Sequence, residues 1–336
     1  MANQGFGGPP PKVAFIQPIV TGILIGTAFL LVFLFALHHP SPRHVPVGVV
    51  GAPAGVVSTL NSGGAIDAVA LRDEAQARDQ VAKGEVDAAY VAGAPQAQLL
   101  VAGARGPLEV RTLSAIFTPI AEQSGATLKE EDVVPIDPDD PNGISVFYLI
   151  FGMTLGAFLF GQGVHAFGKM MPLARKVLQT VVFSAALSII ATAITVGWVG
   201  VLPGNALAVG GVMFLLAGSI GALTIAITTI LGDIGVAVAT IIALIFGTAV
   251  SGGAAPADFL PAGFGAFSSW LPPGAAVRAL RDVVYYDAGA AFGPVLILLA
   301  WIVASAVVVV GVTTVRGKGA PATVHAASAP AAAASR

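Results

Sequence analysis

Three sets of residues in this chain have types and spacings that chemistry could use. The first is Gly163-Val-His-Ala-Phe-Gly168-Lys169, which fits the G-x-x-x-x-G-K spacing of a phosphate-binding loop. Such a loop cradles phosphates with backbone N–H groups and needs a following Ser or Thr to hold magnesium. Met170 stands at that position and no strand leads into the motif, so ATP hydrolysis by this chain is not expected. The second set is His165 and Asp233, the ionisable residues that fall within the long apolar runs. A proton or ion relay needs such groups inside a membrane span. Both lie near predicted span ends, where a polar group at the membrane surface is the simpler expectation. The third set, His38, His39 and His44, has neither helical spacing nor a paired glutamate to suggest a metal site. These histidines read as solvated linker residues.

There is no cysteine, which excludes disulfides, thiolate metal sites and cysteine nucleophiles. The sequence therefore predicts neither an enzyme nor a cofactor held by this chain.

The elements that must carry these residues follow from composition. Of 336 residues, 56% are hydrophobic and 10% are charged, where a soluble domain carries about 25% charged residues. Mean hydropathy is +0.86. Net charge is -2, so no basic field points to nucleic acid as a partner. The solvent that suits such a chain is the lipid bilayer. Residues 13–37 form an uncharged run, preceded by a short N-terminal stretch, 1–12. At 1.5 Å per residue that run can cross a hydrocarbon core about 30 Å thick. Further runs cover residues 144–167, 177–202, 205–250 and 291–315. The run 205–250 is too long for one helix, and Gly232-Asp-Ile-Gly235 marks a turn inside it. The expectation is a mainly α membrane fold with six transmembrane helices, one before and five after a small extracytoplasmic α/β domain over 38–143. The membrane domain then covers 144–315 and a disordered tail 316–336.

Within 38–143, VPVGVV (45–50), AIDAVAL (65–71), VDAAYVAG (86–93) and QLLVAG (98–103) read as strands. Helices are expected over 73–83 and from Pro107, a residue favoured in the first helical turn. The stretch 129–143 ends in an acid- and proline-rich linker.

Six crossings place both termini on one side. Lys12, Lys169, Arg175, Lys176, Arg316, Lys318 and Arg336 fall there against Asp233 alone. Short loops rich in Lys and Arg stay in the cytoplasm, which puts 38–143 outside. Abundant Ala, Gly and Val, with Arg preferred over Lys, suggest a GC-rich bacterial genome, and the membrane is then the bacterial plasma membrane. The loop Lys169, Met170, Met171, Pro172, Arg175 and Lys176 is a topological anchor or a docking knob for a cytoplasmic motor. Gly152-x-x-x-Gly156 and Ala217-x-x-x-Gly221 allow close helix approach, within one chain or between two. Between the last two spans, 251–289 is too apolar for a free loop and too broken for a crossing. Pro261, Trp270, Pro272, Pro273, Arg278 and Arg281 mark it as a re-entrant or surface-lying segment on the outer face.

Three stretches, 77–93, 137–161 and 260–282, carry a family resemblance. With one anchor, an outer α/β domain and five further spans, the chain resembles type-2 ABC exporter permeases. More narrowly it is similar to the phage-infection-protein-like branch of Gram-positive bacteria and their actinobacterial relatives. The resemblance implies an export permease that pairs as a homodimer or heterodimer. It also implies a separate ABC ATPase that binds the ATP and meets the 169–176 loop. The alternative is a non-transporting scaffold or surface receptor whose outer domain binds an envelope component, phage or partner protein.

Overall fold

A computed structural model describes residues 11–168, 171–286 and 289–318. Five helices are long and apolar enough to cross a bilayer, the mark of a multi-pass membrane protein: α1 (Pro11–Leu37), α5 (Ser145–Phe167), α6 (Leu173–Trp198), α7 (Ala206–Leu231) and α11 (Phe292–Lys318). A sixth apolar helix, α8 (Ile234–Ala249), is shorter. The expected turn in the 205–250 run lies where Gly232 and Asp233 separate α7 from α8. α6 starts four residues before the expected span, because Pro172 ends the preceding loop and helix geometry begins at Leu173.

α7 is the central helix and packs against α5, α6 and α11. Asn205 caps its start, its Oδ1 accepting from the backbone N–H groups of Leu207 at 2.8 Å and Ala208 at 3.4 Å. α5 comes close to α7 at Gly161, where an added Cβ would stand 2.5 Å from Thr224 Cβ and 3.2 Å from the Gly221 carbonyl oxygen. Gly221 takes part as the spacing predicts, and Ala217 is fully buried. Gly156 packs against Leu187 of α6. Gly152 has no neighbouring atom within 4 Å of an added Cβ and faces an open groove. Small size alone does not say which glycine another helix will meet.

The α/β region holds five strands: β1 (Val45–Val50), β2 (Ile66–Leu71), β3 (Ala88–Val91), β4 (Gln96–Val101) and β5 (Thr127–Asp132). Their order is β2-β1-β3-β4-β5, all pairs parallel except β3–β4. Helices α2 (Ala54–Ser62), α3 (Glu74–Ala82) and α4 (Pro107–Gln123) connect them. α3 starts where the sequence places it because Asp73 Oδ1 accepts from the Gln76 backbone N–H at 2.8 Å. α2 and β5 were not expected. α2 is rich in β-branched and small polar residues and is held by Val57 and Leu60 packing on the sheet. β5 is an edge strand with the charged sequence TLKEED, which reads as a linker in isolation.

The sheet has two covered faces. Val47, Tyr90, Leu99, Leu113 and Phe117 form a core with α2 and α4. Ala77, Val81, Ala89 and Leu100 form another with α3. Both cores receive a residue from far along the chain: Phe259 enters the first and Tyr286 the second.

Candidate functional site

The expected re-entrant segment consists of a short turn at Ala257–Phe259 followed by α9 (Phe264–Trp270) and α10 (Pro272–Tyr285). Pro272 and Pro273 are buried in the first turn of α10, Pro273 lying against Gly247. Arg278 Nη2 donates to the Ser269 carbonyl at 2.7 Å, and Trp301 Nε1 of α11 donates to the Trp270 carbonyl at 2.7 Å. Trp270 itself is exposed, and Pro261 is half-buried.

This segment grips the α/β region. The backbone N–H groups of Ser41 and Arg43 donate to the carbonyls of Phe259 (3.1 Å) and Asp258 (2.8 Å). The Arg43 guanidinium donates to the Leu260 carbonyl. The Tyr286 ring lies over Gly84, where an added Cβ would stand 3.2 Å from two of its carbons.

Beside these contacts lies a buried cluster of charges. Asp87 at the head of β3 and Glu109 in the first turn of α4 are each 1% exposed. The Arg105 guanidinium forms an ion pair with Asp87, and its Nε is 3.9 Å from Glu109 Oε1. The contact lacks hydrogen-bond alignment. No aligned hydrogen bond reaches Arg105 Nε or Tyr286 Oη among the described residues, while the Glu109 carboxyl acts on Asp87 as a hydrogen-bonding neighbour. Asp258 and Arg281 of the membrane-associated segment act on the same groups electrostatically.

Burial pushes the Asp87 carboxyl up to about 6 against the pull of Arg105. Burial likewise pushes Glu109 up to about 8, with Arg105 opposing and Asp87 reinforcing the rise. Both shifts favour the protonated carboxyl, more strongly at Glu109 than at Asp87. Burial works against the Arg105 charge, but the two acids outweigh it and hold that pKa above its ordinary value. The cluster can fix the domain on the helices and hold one proton.

The chain matches no family model, no curated protein and no solved structure. Its function must be argued from its own geometry.

Sequence reasoning singled out Arg281 but neither Asp87, Arg105 nor Glu109. One signal was present. Glu109 lies four residues before Leu113 and eight before Phe117, on the stripe that α4 buries.

A second polar group gathers at the opposite end of the bundle. His165 Nε2 and Asp233 Oδ1 are 2.9 Å apart, joining the end of α5 to the α7–α8 turn. Arg316 donates to the carbonyls of Thr229 (2.9 Å) and Ile230 (3.3 Å), satisfying the last turn of α7. His165, Asp233, Thr229, Arg316 and Lys176 line a cleft of about 430 Å³. Of the expected docking loop, Lys169 and Met170 lie outside the described residues. Met171 N–H donates to the Gly168 carbonyl at 3.0 Å, Pro172 precedes α6, and Arg175 is exposed. Lys176 instead lines the cleft between helices. The tail beyond 318, like residues 1–10, lies outside the described residues. Among the described residues no group of three or more His, Asp or Glu is placed to hold a metal ion.

Proposed function

We propose that this chain is the membrane-spanning subunit of an ABC-type export system in a bacterial plasma membrane, powered by a separate ATPase. One observation carries the proposal. Segment 251–289, packed among the helices, also supplies Phe259 and Tyr286 to the two cores of the α/β domain. A shift of α10 against α7 or α11 would thus move the outer domain as a body, which is the coupling a partner-driven permease needs.

The chain crosses the bilayer six times, with both termini cytoplasmic and 38–143 outside. Ile234–Ala249 is short beside the ~20 residues of a usual span. Two contacts support a crossing all the same. α8 starts beside Asp233, at the level of His165 and Arg316, and leads to Asp258 and Phe259, which bond the linker after α1. Its ends therefore lie at the levels that α7 connects. A second permease subunit, identical or homologous, stands against the α5–α6 face, where exposed Tyr148, Gly152 and Ile190 line an open groove.

The test is purification of the full chain from native membranes. An ATP-binding cassette subunit should accompany it, and Lys169→Ala with Arg175→Ala should release that subunit while leaving the chain folded. Recovery without any ATPase would overturn the proposal and favour a scaffold or receptor whose outer domain binds an envelope component.

A further inference from the structure

The cleft at the end of the bundle away from the α/β domain has a feature that the export reading does not use. Lys176 and Ile225 line both this cleft and a neighbouring groove of about 190 Å³ between α6, α7 and α11. The two cavities differ in chemistry. The cleft is lined by two cationic residues, Lys176 and Arg316, the latter also donating to the Thr229 and Ile230 carbonyls, and by the His165–Asp233 pair. The groove is apolar, lined by Val177, Val181, Ala306 and Val310, all exposed on the surface that faces lipid. Lys176 stands where the two meet.

A soluble anion would match the cations and leave the groove empty. A neutral lipid would fill the groove and leave the cations without a counter-charge. We propose that the joined cavities bind one anionic phospholipid of the leaflet opposite the α/β domain, its phosphate between Lys176 and Arg316 and an acyl chain in the groove. Basic clefts between helix ends are suited to acidic lipid headgroups, because each Lys or Arg near the surface attracts such lipid and the adjoining hydrocarbon keeps the chain out of water. The site would set helix spacing between α6 and α11, which meet across the groove. It does not depend on an ATPase partner or on which leaflet is cytoplasmic.

The experiment uses the full chain in neutral detergent, titrated with phosphatidylglycerol, phosphatidylcholine or glycerol 3-phosphate. Bound lipid is counted by native mass spectrometry and thermal melting is followed in parallel. One phosphatidylglycerol should be retained and should raise the melting temperature, whereas phosphatidylcholine and glycerol 3-phosphate should do neither. Lys176→Gln should weaken retention about fivefold or more, as expected for one surface cation. Ala306→Trp should abolish it by filling the groove from an exposed position while both cations remain. Arg175→Gln, which removes a neighbouring charge outside both cavities, should change retention less than about twofold, since exposed charges contribute diffusely. Equal retention of phosphatidylcholine would overturn the proposal. So would a melting shift reproduced by glycerol 3-phosphate, or equal losses from Arg175→Gln and Lys176→Gln.

Discussion

The two ends of the helical bundle carry similar side chains in opposite surroundings. At the α/β end, Asp87 and Glu109 are 1% exposed and share Arg105. At the other end, the Asp233 side chain is 84% exposed although it meets His165 at 2.9 Å. Water solvates Asp233 whether or not the contact forms, although the His165 side chain is only 15% exposed, so the contact itself contributes little free energy. At the first end no water replaces a lost partner, and removing one group strands another in a low-dielectric interior. Burial, more than residue type, separates a structural clamp from a surface open to ligands.

The largest expected effect breaks the clamp. Arg105→Ala leaves Asp87 and Glu109 buried without their cation and should cost about 3–5 kcal/mol of stability. Denaturant unfolding in detergent, with Asp87→Asn and Glu109→Gln added to restore part of the loss, checks it. Next is Gly84→Ala. Gly84 has a φ of +70° and its added Cβ would press on the Tyr286 ring, so a loss of about 1–3 kcal/mol is expected. Limited proteolysis should then cut the α/β region faster.

A pH series sharpens the contrast further. The carboxyls of Glu109 and Asp87 rise from ordinary values of 4.5 and 3.8 to about 8 and about 6 on folding, chiefly through burial. The folded chain therefore binds more protons than the unfolded chain between these values. The stability from this site is fully present below the unfolded values and is lost as pH rises through about 6 and then about 8. Melting temperature should fall across that window, and Glu109→Gln should flatten its upper part. A melting temperature that rises with pH there would contradict the burial assigned to the clamp. The smallest effect is expected at the far end, where His165→Ala should change stability by less than about 1 kcal/mol.

Much of this organisation can be read from particular residues. An apolar run such as 45–50 has few alternatives to a buried strand, and Asp73 with Gln76 fixes where α3 begins. Asp140 goes the other way. It sits in what reads as a solvated acidic linker, yet it is 5% exposed and accepts from the backbone N–H groups of Ile144 at 3.2 Å and Ser145 at 3.0 Å, capping α5. Nothing in DPDDPNG alone distinguishes that aspartate from its neighbours. β5 is equally opaque, since its strand form comes from pairing with β4.

Local residue patterns suffice for the long apolar helices, the turn at Gly232 and the position of the α/β insert. Uncharged runs of that length and local cap and turn residues act over a few neighbours. Folding alone brings Asp258 and Arg281 within electrostatic reach of Asp87, Arg105 and Glu109, and sets Lys176 along a cleft. Those outcomes depend on segments more than a hundred residues apart coming together. The dielectric around a charge is a property of that assembly and not of the residues on either side of it in the chain.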